Sequence, residues 1–174
     1  MDCRSIVVVP HTALATRAEE ILDIDESIRA LAQEMAQAMY RAPGIGLAAN
    51  QVGELVRLIV LDLQYAYAEP SEKKKNPIFI INPKICLVEG KAMREEGCLS
   101  VPEFGIDIER HECVSVRGVD LDGKPLKIEA DGLLARALQH EIDHLNGVTL
   151  LDYASPLKRN LYRRKLKKMS RRDR

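Results

Sequence analysis

The sequence predicts a single α+β domain in which mixed or antiparallel β-sheets surround a central helix that carries an HExxH motif. Strand-like and helix-like patterns occupy separate blocks of the chain instead of alternating, which favours the α+β class. The chain of 174 residues suits one hydrophobic core. Because no internal repeat or low-complexity linker divides it, residues 1–174 are expected to form one domain.

Three segments have the pattern of helices. Asp25 suits an N-cap, and the apolar residues that follow it recur at helical spacing to residue 41. A central helix is predicted to begin at Asp131 and to end at Gly147. The pair Ser155-Pro156 favours the start of a basic C-terminal helix or tail over residues 155–174. The narrow apolar stripe of this last helix consists of Leu157, Leu161, Leu166 and Met169.

Runs of β-branched and apolar residues predict short strands. These runs lie at residues 55–63, 78–81, 85–88, 114–119 and 126–128. Asn82-Pro83 is expected to separate the second run from the third, and Asp122-Gly123 is a hairpin turn signal. Residues 65–76 look like a loop.

The charge distribution is uneven although the net charge is zero. Residues 158–174 carry ten basic side chains and one acidic side chain, so this segment is strongly positive and the remainder equally negative. Such a segment suits contact with RNA or an acidic surface. A solvated amphipathic helix docked by Leu157, Leu161 and Met169 explains the pattern equally well.

No apolar stretch is long enough to span a membrane, and the apolar run near the N-terminus is too short for a secretory signal. A cytoplasmic location without membrane contact is therefore expected. The four cysteines lack CxxC pairing, which excludes a disulfide framework and a zinc ribbon. Cys3, Cys86 and Cys113 are expected to be small buried hydrophobes, and His11 and His111 to have no catalytic role.

The strongest chemical signal is the HExxH motif from His140 to His144. Two histidines four residues apart lie on one face of a helix and can reach one metal ion, while Glu141 lies near the water that the metal activates. A catalytic metal of this kind uses three protein ligands. No Glu follows Glu141, and Leu150 stands where a metzincin has its third histidine. Among upstream residues, Cys98 is the best candidate, because a thiolate binds borderline divalent ions well.

Residues 44–53 are small and apolar apart from Gln51 and its neighbour Asn50. Small residues let a ligand's backbone lie against the chain, and Gln51 could donate a hydrogen bond to an oxyanion. The segment lacks the Lys-Ser/Thr of a Walker loop, so no nucleotide cofactor is expected.

Three segments in this order resemble the peptide deformylase family, and the similarity covers nearly the whole chain. The family shows GxGLAAxQ, EGCLS and HExDH, which here are residues 44–51, 96–100 and 140–144. Each motif alone is moderately specific, whereas the ordered triplet is very specific.

The resemblance implies an enzyme that removes the N-formyl group from the formyl-methionine of nascent polypeptides and releases formate. Cys98, His140 and His144 would bind one divalent metal ion per chain, Fe²⁺ in the cell, with Zn²⁺, Ni²⁺ or Co²⁺ as substitutes. Glu141 would be the general base towards the metal-bound water and later the acid for the leaving amine.

The resemblance also implies roles around the metal. Gln51 and the backbone N–H of Leu99 would hold the oxyanion, and Glu96 would pair with Arg110 behind the Cys98 segment. The residues expected to bind the substrate are Ile45, Gly46, Gly97, Leu133 and Arg136. Ribosome contact through the basic helix would suit an enzyme acting on nascent chains.

Two other functions remain open from the residues. A broad zinc peptidase would use the same HExxH chemistry, but the usual downstream third ligand is missing. A ribosome-associated protein without activity would be favoured by a broken ligand set, whereas Cys98, His140, Glu141, His144 and Gln51 are all present.

Overall fold

The computed structural model describes residues 4–69, 71 and 73–172, with side chains as far as Lys168. The described residues form five helices: α1 (Glu26–Arg41), α2 (Leu63–Tyr67), α3 (Gly132–Leu145), α4 (Leu150–Tyr153) and α5 (Pro156–Arg172). They form seven strands: β1 (Gly46–Ala48), β2 (Leu58–Leu61), β3 (Ile78–Glu89), β4 (Ala92–Cys98), β5 (Val101–Arg110), β6 (Cys113–Val119) and β7 (Pro125–Asp131). The predicted α+β class and the central HExxH helix are confirmed.

The strands pair in two antiparallel sheets. Five of them form one sheet in the order β1-β2-β3-β6-β7, which leaves β1 at an edge. The other two, β4 and β5, form a separate hairpin. The helix α3 packs against β1, β2, β6 and β7 of the larger sheet. The HExxH motif therefore lies on a rigid central element.

The predicted N-terminal helix is confirmed as α1. The Asp25 carboxylate accepts hydrogen bonds from the N–H groups of Ser27 and Ile28, at 2.9 and 3.0 Å, and so caps two free donors of the first turn. Met35 and Met39 are fully buried on the inner face of the helix. The Leu, Met and Ala residues of α1 pack with those of β1 and β2 in one core cluster.

The predicted central helix is confirmed as α3, which follows Asp131. Gly147 lies just beyond its end with φ of +76°, in the left-handed region that favours glycine. A Cβ atom at this position would also lie 2.9 Å from the backbone of Ala15. The turn that ends the HExxH helix thus needs glycine for two reasons.

The strand predictions were wrong in three places. Residues 78–89 form one strand and not two, because a bulge between Ile81 and Lys84 absorbs the Asn82-Pro83 interruption. Asn82 adopts φ of +51° and its side chain bonds the backbone of Ile21 at 2.8 and 2.9 Å, which stabilises the bulge. The short strand β1 was not predicted, and neither was the hairpin of β4 and β5.

Three smaller predictions also need correction. The segment 65–76 is not entirely a loop, because its first residues belong to the short helix α2. Cys86 and Cys113 are exposed on the surface of β3 and β6 and are not buried hydrophobes. Cys3 lies outside the described residues.

The predicted packing face of the C-terminal helix was wrong as well. Leu157 is 70% exposed and Leu161 is 53% exposed, whereas Tyr162 is buried and Leu166 is half-buried. The predicted contact of Met169 concerns a side chain outside the described part of the structure. An aromatic residue thus docks α5, together with Val101 and Leu150 in a third core cluster. Within residues 4–69, 71 and 73–172, no helix has the length and apolar character needed to cross a bilayer.

Candidate metal centre and active site

Three side chains converge at the centre of the molecule as a set of potential metal ligands. The ligand atoms of Cys98, His140 and His144 all lie within 4.8 Å of one another. One turn of α3 places the two imidazoles on the same face, and the last residue of β4 brings the thiol over them. The Cys98 Sγ atom lies 3.2 Å from Nε2 of His144. One sulfur and two nitrogen donors suit a borderline divalent ion such as Fe²⁺ or Zn²⁺.

A buried carboxylate orients one of these ligands. Nδ1 of His140 lies 2.9 Å from Oε2 of Glu96, which leaves Nε2 of the ring free for a metal. Glu96 also accepts two hydrogen bonds from Arg110, at 2.9 and 3.1 Å. Burial alone would raise the pKa of Glu96, but the hydrogen bonds from His140 and Arg110 outweigh it and lower the pKa to about 2. Glu96 is therefore a carboxylate at any physiological pH.

The network extends to two residues that the sequence analysis gave no role. Arg110 also donates to the carboxylate of Asp143, and the Tyr153 hydroxyl donates to the same carboxylate oxygen at 2.6 Å. The Arg110 guanidinium lies over the Tyr153 ring, 5.1 Å from its centre. Asp143 lies inside the HExDH motif, and this position could have predicted a role for it in the site. These contacts link α3 and α4 to the β4–β5 hairpin.

The two imidazoles have different electrostatic surroundings. Burial, together with the positive charges of His140 and Arg110, lowers the pKa of His144 well below its usual value. Burial would also lower the pKa of His140, but hydrogen bonds to Cys98 and Glu96 outweigh it and raise that pKa. Since a metal binds the neutral ring, ligation at His140 is coupled to loss of a proton.

Glu141 combines burial with an unsatisfied oxygen. Its side chain is only 4% exposed, and its Oε2 atom has no hydrogen-bond partner. Burial raises the pKa of its carboxyl group to about 7, against the opposing charge of His140. Gly46 of β1 makes room for it, because a Cβ atom there would lie 2.5 Å from Glu141 Oε1. The carboxylate is thus placed beside the ligand triad and can exchange a proton.

Gln51 directs its amide towards the same centre. Its Oε1 atom accepts a hydrogen bond from the N–H of Ala48 at 2.9 Å, which fixes the amide orientation. Its Nε2 atom lies 3.6 Å from Cys98 Sγ and 3.2 Å from the Ser100 hydroxyl oxygen. Leu99, which lies between Cys98 and Ser100 in the sequence, lines the adjoining cavity. The side-chain amide of Gln51 is therefore a buried donor within reach of the triad.

A cavity of about 690 Å³ leads to the triad. It brings together the sequence-predicted residues other than His144 and Arg110. Those that line it are Ile45, Gly46, Gln51, Glu96, Gly97, Cys98, Leu99, Leu133, Arg136, His140 and Glu141. His111 lies apart from this set, with its Nδ1 atom 3.2 Å from the Gly90 carbonyl oxygen. His11 caps the short helical turn of residues 12–15.

Comparison with known proteins decides the family. The family model described as polypeptide deformylase matches residues 3–160. The chain belongs to the polypeptide deformylase family. The family consists of metal-dependent hydrolases that remove N-formyl groups from nascent polypeptides, and the Cys98, His140 and His144 set in this member is a possible metal site.

Relatives and solved structures of this family match over almost the full chain. A peptide deformylase of Thermodesulfovibrio yellowstonii is 51% identical over 158 residues, which covers 91% of this chain and 93% of the relative. One of Syntrophobacter fumaroxidans is 47% identical and covers 97% and 96%. The crystal structure of a peptide deformylase from Legionella pneumophila superposes with a TM-score of 0.89 at 43% identity, covering 99% and 98%.

Proposed function

We propose that this deformylase family member removes the formyl group from the N-terminal formyl-methionine of newly made polypeptides and releases formate. The observation that supports this most is the set of Cys98, His140 and His144 next to the buried, unpaired carboxylate of Glu141. This arrangement lies at the inner end of a cavity large enough for a peptide terminus. Metal-assisted hydrolysis of an amide uses a ligand set, a proton-transfer group and a substrate cavity together.

Cys98, His140 and His144 would hold the metal. When bound there, a divalent ion would act as a Lewis acid that makes a water molecule nucleophilic at neutral pH. We infer Fe²⁺ as the ion in the cell from the family resemblance. Zn²⁺, Ni²⁺ or Co²⁺ would serve as substitutes, because a thiolate and two imidazoles suit all four ions. Glu96 and Arg110 would keep the His140 ring in its ligating orientation.

The residues of the chain itself handle the proton and the developing charge. Glu141 would take a proton from the attacking water and then give it to the leaving amine. The Gln51 amide and the backbone N–H of Leu99 would donate hydrogen bonds to the oxyanion that forms from the formyl oxygen. Because the formyl carbon carries only hydrogen, this crowded site would exclude larger acyl groups.

The edge position of β1 supports a mode of peptide binding. Since β2 is the only described strand that pairs with β1, the other edge of the Gly46 segment can pair with an extended peptide as an added strand. Ile45 would join this pairing, and Gly97 would offer close backbone approach on the opposite wall. The methionine side chain would lie towards Leu133 and Arg136. We further propose a cytoplasmic location and ribosome contact through the basic helix α5.

Formate release from formyl-Met-Ala-Ser tests the proposal. The protein is loaded anaerobically with Fe²⁺, and acetyl-Met-Ala-Ser serves as the control peptide. Release of formate without cleavage of the acetylated peptide is the expected result. If protein that holds about one equivalent of metal releases no formate, the deformylase proposal is wrong and a ribosome-associated protein without activity becomes the better reading.

A further inference from the structure

The C-terminal helix α5 contacts the wall of the substrate cavity. Residues 102–104, here called the rim segment, line this cavity at the start of β5. Within the rim segment, Glu103 adopts φ of +55°, in the left-handed region that side-chain-bearing residues rarely occupy. A backbone in that region persists only where its surroundings hold it. The residues of α5 supply such contacts.

Two side chains of α5 reach all three residues of the rim segment. The Tyr162 hydroxyl donates a hydrogen bond to the Pro102 carbonyl oxygen at 2.8 Å, and its ring packs on the Phe104 ring with centres 4.9 Å apart. The Lys165 ammonium lies 2.7 Å from the Glu103 carboxylate and donates to the Glu103 carbonyl oxygen at 3.3 Å. Tyr162 is buried, so its contacts with the rim segment are shielded from water.

Lys165 also changes the charge that a substrate meets. Glu95 and Glu103 both line the cavity and are both exposed. The ion pair with Lys165 neutralises Glu103, and its hydrogen bond lowers the pKa of that carboxyl group. Without Lys165, the rim segment would present an unpaired negative charge to the peptide. Side chains beyond the formylated methionine would then be selected by their charge.

We propose that Tyr162 and Lys165 are positioning residues of the deformylase, through which α5 shapes the rim segment and keeps the cavity tolerant of both acidic and basic residues after the methionine. The inference rests on the proposed function. It assigns the helix a role in substrate selection that is separate from any contact with RNA.

The test compares formyl-Met-Lys-Ser with formyl-Met-Glu-Ser at low salt. In Lys165→Glu, we expect the ratio of kcat/KM for the basic over the acidic peptide to rise about two- to fivefold, the range of exposed ion pairs. The gain should disappear at about 1 M salt, where exposed charges are screened. Adding Glu103→Lys to Lys165→Glu restores the opposite-charge pair, so this double variant should return to the wild-type ratio.

Lys168→Glu is the matched control, because Lys168 is an exposed lysine of the same helix and the charge change is identical. It should leave the ratio unchanged. Tyr162→Phe tests the hydrogen bond alone: KM for the tripeptides should rise about two- to fivefold while kcat is kept.

The outcomes separate this inference from the proposed function. If the wild-type protein releases formate but Lys165→Glu and Lys168→Glu give the same ratio, the role of Lys165 is wrong and the deformylase proposal stands. Equal KM values for Tyr162→Phe and wild type would likewise overturn the role of Tyr162. If the wild-type protein releases no formate from any peptide, the proposed function itself fails.

Discussion

Glu141 and Cys98 both line the candidate site but have different predicted roles. Glu141→Ala should keep about one equivalent of metal, because all three ligands remain. Its turnover should fall by about 10²–10⁴-fold, the usual contribution of a positioned proton-transfer group. Cys98→Ala should lose stable metal binding, since two imidazoles alone leave the site incomplete. Metal content by elemental analysis and formate release give the two readouts.

The two variants serve as controls for each other. Full activity in either one would contradict the role assigned to that residue. Loss of metal from Glu141→Ala would mean that the carboxylate supports the ligand set and is not only a proton carrier. Comparable circular dichroism spectra for both variants and wild type exclude unfolding as the cause.

Gly46 is predicted to be essential for reasons of space. A Cβ atom at this position would lie 2.5 Å from Glu141 Oε1 and 2.8 Å from Leu61 Cδ2. We expect Gly46→Ala to destabilise the fold by about 1–3 kcal/mol through overpacking. Displacement of the Glu141 carboxylate by roughly an ångström should also lower kcat/KM about 10²-fold.

Gly97→Ala is the matched control for the stability effect of this substitution. The nearest atom to a Cβ there is 4.0 Å away, so this variant should unfold in urea with nearly the wild-type free energy. Equal unfolding free energies for Gly46→Ala and Gly97→Ala would show that the space around Gly46 is not limiting.

At the scale of elements, a single buried carboxylate ties the segment after β2 to α1. Asp62 accepts hydrogen bonds from the Tyr40 hydroxyl of α1 and from the N–H groups of Tyr65 and Asn76, the last two at 2.9 and 2.8 Å. Burial raises the pKa of Asp62, but the hydrogen bonds from these donors outweigh it, so the net pKa is lowered. Folding therefore favours the ionised form of the Asp62 carboxyl group over the protonated form.

This carboxylate should make stability depend on pH in a defined direction. Because the folded pKa lies below the unfolded value of about 4, the contribution is fully present above pH 4 and is lost as the pH falls through the folded pKa. Asp62→Asn should cost about 1.5–3 kcal/mol of unfolding free energy at pH 7, and less below pH 4. Urea unfolding at both pH values measures the difference. Asp23→Asn, at an exposed position, is the control for the loss of one negative charge. If the loss of unfolding free energy in Asp62→Asn grows on acidification, the pKa of Asp62 is not lowered by folding.

Helices with strong local signals could be predicted from the sequence. Strands that form only because a distant strand pairs with them could not. Asp25 and the Asp131–Gly147 pattern mark α1 and α3 because caps and helical periodicity are local properties. The β4 strand is rich in charged residues and contains two adjacent glutamates, so it has no apolar alternation to reveal it. It becomes a strand because β5 pairs with it along its whole length.

The residues of the candidate site also divide into those that the sequence predicted and those that it did not. Eleven of the residues that line the cavity were predicted, and nine of these lie in the three family motifs. The contacts of Asp143 and Tyr153 were not predicted, since both residues act through Arg110 of β5, which lies 33 and 43 residues away in sequence. Tyr162 was missed for a related reason: the apolar stripe suggested Leu157 and Leu161, whereas the aromatic partner Phe104 lies on β5.

At the scale of the whole molecule, the candidate metal site adds a link between the β4–β5 hairpin and the rest of the fold. Cys98 belongs to the two-stranded hairpin, whereas His140 and His144 belong to the helix that packs on the larger sheet. An ion held by all three therefore crosslinks the hairpin to the rest of the core. Because the unfolded chain does not hold the three donors together, binding energy at this site becomes folding energy.

Removal of the metal should accordingly lower the stability of the entire fold. With free ion at about 100 times Kd, linkage gives about 2.7 kcal/mol, or roughly 5–10 °C in Tm for a domain of this size. Calorimetry of the Zn²⁺-loaded protein with and without a chelator measures the shift. Cys98→Ala should show little or no shift under the same treatment. If chelation strips the metal from the wild-type protein and leaves Tm unchanged, the ion does not bridge the hairpin and the helix, and the ligand set proposed here is wrong.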